Sequence, residues 1–198
     1  MDIYLVRHGQ TGSNLNEVFA GQQDDSINEA GMIQAEYCRE FLKNVVFGGI
    51  YTSGLKRTAQ TARVIRDQES ISCPEFNEID QGEYTGRVWK DLEKIPGFLE
   101  NRLKRDYRNP GGESLDDVIT RASRKFHEII ANHDDGESIL IVSHGGVIKE
   151  LGRYILKQDR VLARPPNCSI SLIKLENGKY KLEYRNKVTY PAKYMLPF

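Results

Sequence analysis

Apolar residues along the chain follow two patterns: short unbroken runs, and longer stretches in which they recur at helical spacing. Ile3-Tyr4-Leu5-Val6 is a β-rich run broken by Arg7-His8-Gly9, which predicts a strand ending in a loop. Ile139-Leu140-Ile141-Val142 ends at Ser143-His144-Gly145-Gly146, and such a run suits a central parallel strand buried on both faces. Gly49-Ile50-Tyr51-Thr52-Ser53 predicts another short strand.

Helical spacing governs three other stretches. Ile33, Ala35, Tyr37, Cys38, Phe41 and Leu42 follow Asn28-Glu29-Ala30-Gly31 and define one helix. Leu55, Ala59, Ala62 and Ile65 define a second, with Ser53 placed to cap it. Ser114-Leu115-Asp116-Asp117 has the form of a capping box. The stripe behind it runs through Val118, Ile119, Ala122, Phe126, Ile129 and Ile130. A further helix is expected at about 147–156.

Between these lie two polar regions. The 10–28 stretch reads as loop. The 69–112 stretch holds Trp89, Ile95, Phe98 and Leu99 with a basic cluster of Arg102, Lys104, Arg105 and Arg108. It is expected to form a small helical cap, with the insert at about 87–112. At the end, two strand-like runs flank Asn177-Gly178, a strong hairpin signal. The fold class expected is α/β: a three-layer sandwich with a mainly parallel central sheet, helices on both faces, a small helical cap insert and a C-terminal β-hairpin. Residues 1–198 are read as one domain.

Composition narrows the function classes. The chain carries 28 basic and 28 acidic residues, a balance that argues against nucleic acid or an anionic membrane as partner. The first residues lack the basic-then-apolar form of a signal peptide, and no apolar run nears the ~20 residues that span a bilayer. Cys38, Cys73 and Cys168 are scattered and odd in number, as expected of free thiols in a reducing compartment. A cytoplasmic address is the expectation. Oligomeric state is not encoded in any pattern of this kind.

Candidate chemistry begins with two histidines in matching contexts. His8 and His144 each follow an apolar run and each is trailed by glycine. Ligands of open α/β sheets bind outside the carboxyl ends of strands, so two histidines delivered there can meet. His127 and His133 lie on a helix flank and in a polar turn, where structural or solvated roles are expected. Neither HxxxH nor CxxC spacing occurs, so no metal site is expected. Arg7 adjoins His8, and Arg57 falls in the first turn of a predicted helix. Guanidinium forks and helix N-termini both suit phosphate.

At this point the chain resembles a known family. Val6-Arg7-His8-Gly9-Gln10-Thr11-Gly12-Ser13-Asn14 is similar to the signature of the histidine phosphatase superfamily, which includes phosphoglycerate mutases. The resemblance continues through Ser53-Gly54-Leu55-Lys56-Arg57-Thr58-Ala59, Asn77-Glu78-Ile79-Asp80, Gly112-Glu113-Ser114 and Val142-Ser143-His144-Gly145-Gly146. It implies that His8 is a nucleophile forming a phosphohistidine. Arg7, Asn14, Arg57 and His144 would hold the phosphoryl oxygens, and Glu78, not the nearby Glu83, would be the proton donor. Gln10, Gly21 and Gly145 are further candidate substrate contacts.

The resemblance implies a histidine acid-type phosphatase, a phosphoric monoester hydrolase needing no cofactor, acting on a small phosphorylated substrate. A mutase returning the phosphoryl group to a sugar acid is the alternative; the short spacing from Glu78 to His144 favours the phosphatase branch. A non-catalytic phospholigand-binding protein would lack the nucleophile or the acid, and both are present. Phosphate monoesters call for up to ~10²¹-fold acceleration, whereas a general acid contributes only about 10²–10⁴-fold. Electrostatic clamping by Arg7, Arg57 and a protonated His144 is the expected remainder.

Overall fold

A computed structural model describes residues 1–158 and 163–196. Four strands run parallel in the spatial order β3 (Ile71–Ser72), β2 (Gly49–Thr52), β4 (Ser138–Ser143), β1 (Asp2–Arg7). Beyond β1, β5 (Ile170–Glu176) and β6 (Lys179–Lys187) extend the sheet as an antiparallel hairpin. Its two-residue turn, Asn177-Gly178, has both residues at positive φ. That backbone matches the strand twist, and asparagine and glycine tolerate it best. The mainly parallel sheet, its covering helices and the terminal hairpin make this an α/β fold.

Side chains alternate across each strand, and the apolar runs therefore feed two cores. Ile3, Leu5, Ile139 and Ile141 point to one face, where they pack with Val118, Ala122, Phe126 and Leu151. Those partners belong to α6 (Leu115–Ala131) and α7 (Gly145–Ile155). Tyr4, Val6, Leu140 and Val142 point to the other face and meet Ala35, Cys38, Leu42, Ala62 and Ile65. These come from α2 (Glu29–Leu42) and α3 (Lys56–Ile65). A strand buried on both sides needs apolar residues at every position, which is why β1 and β4 carry no alternation. Fully burying each such side chain contributes roughly 1.5–3 kcal/mol.

The remaining helices are single turns: α1 (Gly12–Leu15), α4 (Trp89–Leu92) and α5 (Phe98–Asn101). The first interrupts the stretch expected to be loop, and a capping box from Thr11 to Asn14 holds it. The other two lie within the 87–112 stretch. Backbone hydrogen bonds from Phe19 to Arg87 and from Trp89 to Glu17 tie that stretch to the segment after α1. Ser53 does not cap α3. Leu55 occupies that position without a side-chain bond, because the Ser53 hydroxyl is turned to His144. The expected helix at 147–156 starts earlier, at Gly145, with His144 as its N-cap residue. The three cysteines are buried and unpaired. No helix among the described residues is long and apolar enough to cross a membrane.

Candidate active site

The register between β1 and β4 pairs Arg7 with Ser143. The next residues, His8 and His144, therefore leave the sheet side by side, with the His8 amide donating to the Ser143 carbonyl at 2.9 Å. Their rings lie 5.2 Å apart, centre to centre. Beside them opens a cavity of about 480 Å³, a size that admits a small ligand.

His8 Nδ1 lies 2.7 Å from the Gly9 carbonyl. A carbonyl only accepts, so Nδ1 carries the hydrogen and the Nε2 lone pair is left exposed to attack. Burial holds the His8 pKa well below the ordinary imidazole value, and Arg7 and Arg57 lower it further. The ring is neutral before any substrate binds.

His144 is fully buried and lies behind the cavity wall instead of lining it. Its Nδ1 accepts from Arg57 Nε at 3.3 Å, which leaves Nε2–H to donate to Ser53 Oγ at 2.8 Å. Ser53 Oγ is 2.9 Å from Thr58 Oγ1, which donates to the Leu55 carbonyl. Burial, then Arg57, lower the His144 pKa well below its ordinary value. The expected protonated His144 is thus corrected: between burial and two arginines, the charged ring is the disfavoured form.

The cationic part of the site is Arg7 with Arg57. Arg7 sends Nη1 to the Pro165 carbonyl, while its buried Nε has no partner among the described residues. An unpaired buried donor on a cation is a ready partner for an anion. Burial, and next the charge of Arg164, lower the Arg7 pKa to about 9. Arg57 is held by Asp25 and by the carbonyls of Gly21 and Gln23, so it also fastens the loop that forms one rim. Asn14 accepts at Oδ1 from Asn167 and from the Thr11 amide, which reserves its Nδ2–H₂ for a ligand oxygen.

Glu78 follows a short helical turn at Pro74–Phe76 and lines the cavity. Its Oε1 accepts from the Ile79 amide at 3.1 Å and its Oε2 from the Gly146 amide at 3.2 Å. A Cβ on residue 146 would sit 2.4 Å from Oε1, so any larger residue there would push the carboxylate aside. Glu83 is exposed and outside the cavity.

Other expected contacts divide. Gly21 and Gly145 line the cavity, and Gln10 does not. The Gln10 side chain instead accepts from Asn28, the N-cap of α2. His127 pairs with Tyr154, and His133 with Tyr51, both away from the site. Asn167 and Arg164 carried no signal in the sequence. Asn167 Nδ2 bonds the His8 carbonyl at 3.0 Å, and Arg164 approaches Glu78 Oε2 at 4.0 Å. Among the described residues, no three of His, Cys, Asp and Glu gather as metal ligands.

These residues gather at the carboxyl edge of a sheet covered by helices on both faces. The family model for the histidine phosphatase superfamily (branch 1) matches residues 3–188, and the chain belongs to that family. It is 32% identical to phosphoglycerate mutase-like protein 4 of Arabidopsis thaliana, over 89% of this chain and 80% of the relative. It is 31% identical to a metal-independent phosphoserine phosphatase of the same plant, over 96% and 82%. Among solved structures, a mycobacterial glucosyl-3-phosphoglycerate phosphatase complexed with VO3 superposes with a TM-score of 0.86. The two are 26% identical, over 93% of this chain and 98% of that one.

Proposed function

We propose that the chain hydrolyses the phosphomonoester of a small metabolite through a phosphohistidine on His8, as one domain with the 87–112 stretch as its cap. The observation that carries this reading is the neutral His8 whose Nδ1–H is fixed by Gly9 beside the buried cations Arg7 and Arg57. Nε2 attacks phosphorus, and the P–O bond to the leaving group breaks as the N–P bond forms. Protonated Glu78 gives its hydrogen to the departing alkoxide. Water, deprotonated by the Glu78 carboxylate, then attacks phosphorus and breaks the N–P bond. His8 returns neutral and Glu78 protonated.

Arg7, Arg57 and Asn14 hold the equatorial oxygens, and the α7 N-terminus at Gly145 adds its dipole. The role of His144 in this reading is to orient Arg57 through its Nδ1. Acid-type activity is the finer form of the proposal, and the depressed His8 pKa supports it, since the nucleophile stays neutral in mild acid. Cytoplasmic action on a free small molecule completes the reading. A screen of phosphorylated metabolites in EDTA, following released phosphate and transfer to 3-phosphoglycerate, tests it. Phosphate release in EDTA without transfer is expected. Transfer as the main reaction, or activity lost to EDTA, would overturn it.

A further inference from the structure

The segment after β6 returns to the nucleophile. Tyr190 is buried beside the cavity, and its hydroxyl donates to the Asn167 carbonyl at 2.6 Å. That carbonyl shares a peptide unit with the Cys168 amide, which donates to the carbonyls of Arg7 at 3.0 Å and His8 at 3.3 Å. A peptide unit is planar, so a bond at its oxygen and bonds at its N–H fix the whole plane. Burial raises the Tyr190 pKa well above the ordinary phenol value, which keeps the donated hydrogen in place. The segment is itself anchored. Gln34 Nε2 donates to the Tyr194 carbonyl at 2.7 Å, while Gln34 Oε1 accepts from the Gln10 amide at 2.9 Å.

The fixed peptide aims the Asn167 side chain. Its Nδ2 donates to the His8 carbonyl at 3.0 Å and to Asn14 Oδ1 at 2.9 Å. The second bond decides which end of the Asn14 amide is left for a ligand. Cys168 stands at φ +49°, a left-handed conformation that a residue other than glycine keeps only where its surroundings impose it. Here the Tyr190 hydroxyl restrains the peptide before it, and Cys38 Sγ, at 3.0 Å from the Cys168 carbonyl, restrains the peptide after it.

We propose that Tyr190 is a positioning residue for phosphoryl transfer, acting through the Asn167 side chain on His8 and Asn14 and touching no reacting atom. This rests on the phosphohistidine reading of the same site. Without the hydroxyl the peptide at 167–168 loses its outer restraint, and the Asn14 amide loses its fixed aim at the phosphoryl oxygens.

Tyr190→Phe keeps the ring and removes only the hydroxyl. With p-nitrophenyl phosphate, kcat/KM is expected to fall ~10-fold, the scale of one buried hydrogen bond, with most of the loss in kcat. Asn167→Ala keeps the carbonyl that Tyr190 bonds and removes the link to Asn14. In that background Tyr190→Phe should cost less than a further ~2-fold in kcat/KM, while lowering the urea midpoint as much as it does in wild type. An undiminished second loss, or wild-type kcat/KM in Tyr190→Phe, overturns the proposal. Asn167→Asp guards against a misfolded alanine variant. It keeps size and carbonyl but turns an acceptor toward Asn14 Oδ1, so wild-type activity there would also overturn the proposal.

Calorimetry with orthovanadate, a mimic of the transferring phosphoryl group, reads the same coupling without turnover. Coupled losses of vanadate affinity in a protein that turns over no phosphomonoester would keep the positioning role and remove hydrolysis. Turnover with uncoupled variants would do the reverse. A wild type that neither turns over nor binds vanadate would overturn both.

Discussion

Arg121 on α6 meets Glu113 at two points, Nε to Oε1 at 2.9 Å and Nη2 to Oε2 at 2.8 Å. Its other hydrogens reach the carbonyls of Glu75, Asn77 and Glu78. Glu113 in turn accepts from the Asp80 amide. This guanidinium–carboxylate pair therefore helps to hold the irregular segment that carries Glu78, the proposed proton donor. Arg121→Met should lower kcat by about 10–100-fold, part of what a positioned general acid contributes, with a smaller change in KM. Arg121→Lys should recover little, because it lacks the fork. Equal losses in kcat and in folding stability across both variants would assign Arg121 a purely structural role.

Gly146 gives a sharper handle on the same carboxylate. The Gly146→Ala methyl would stand 2.4 Å from Glu78 Oε1, so the carboxylate must leave its place against the amide. We expect kcat to fall by ~10²-fold, near the lower end for loss of a general acid, while the fold survives. A Gly146→Ala enzyme with wild-type kcat would show that the contact between Glu78 and residue 146 does not set the rate.

The histidines predict a pH dependence with a definite sign. His8 and His144 have folded pKa values well below their ordinary value, so the unfolded chain binds more protons just below pH ~6.5. Stability contributed by keeping them neutral is fully present above that pH and is lost as pH falls toward the folded values. Imidazole NMR signals of these two residues should stay in the neutral range below pH ~6.5. Titration of both near that value would contradict the buried, cation-flanked environment.

Ser53 is where the sequence suggests a helix cap and the structure has a histidine partner. Ser53→Ala would leave His144 Nε2–H buried without an acceptor, at a cost of about 1–3 kcal/mol. It would also free the ring to exchange tautomers and release Arg57. A lower urea midpoint together with reduced kcat/KM is the expected result. A change in neither would detach Ser53 from the site.

Much of this arrangement was legible in the sequence because strand periodicity exposes it. The matching runs before His8 and His144 announce neighbouring buried strands, and glycine after each announces a backbone open to a ligand. Other parts were not legible. Asn167 and Arg164 lie in an aperiodic segment, and they reach the site because β5 runs antiparallel to β1 and brings the preceding loop against His8. Proximity of His144 to arginines could be read, but its desolvation could not, and desolvation decides its charge. A split within the basic cluster was also hidden: Arg105 and Arg108 find Asp116, Asp117 and Glu150, while Arg102 and Lys104 line the cavity.

The central claim is that phosphorus passes through His8. Rapid quenching of turnover with a radiolabelled phosphomonoester, followed by peptide mapping, tests it most directly. An acid-labile, base-stable label on the peptide holding His8 is expected. The label should accumulate in Gly146→Ala, where Glu78 cannot activate water well, and be absent in His8→Ala together with activity. A His8→Ala enzyme that still released phosphate at the wild-type rate, with no labelled intermediate in either protein, would contradict it.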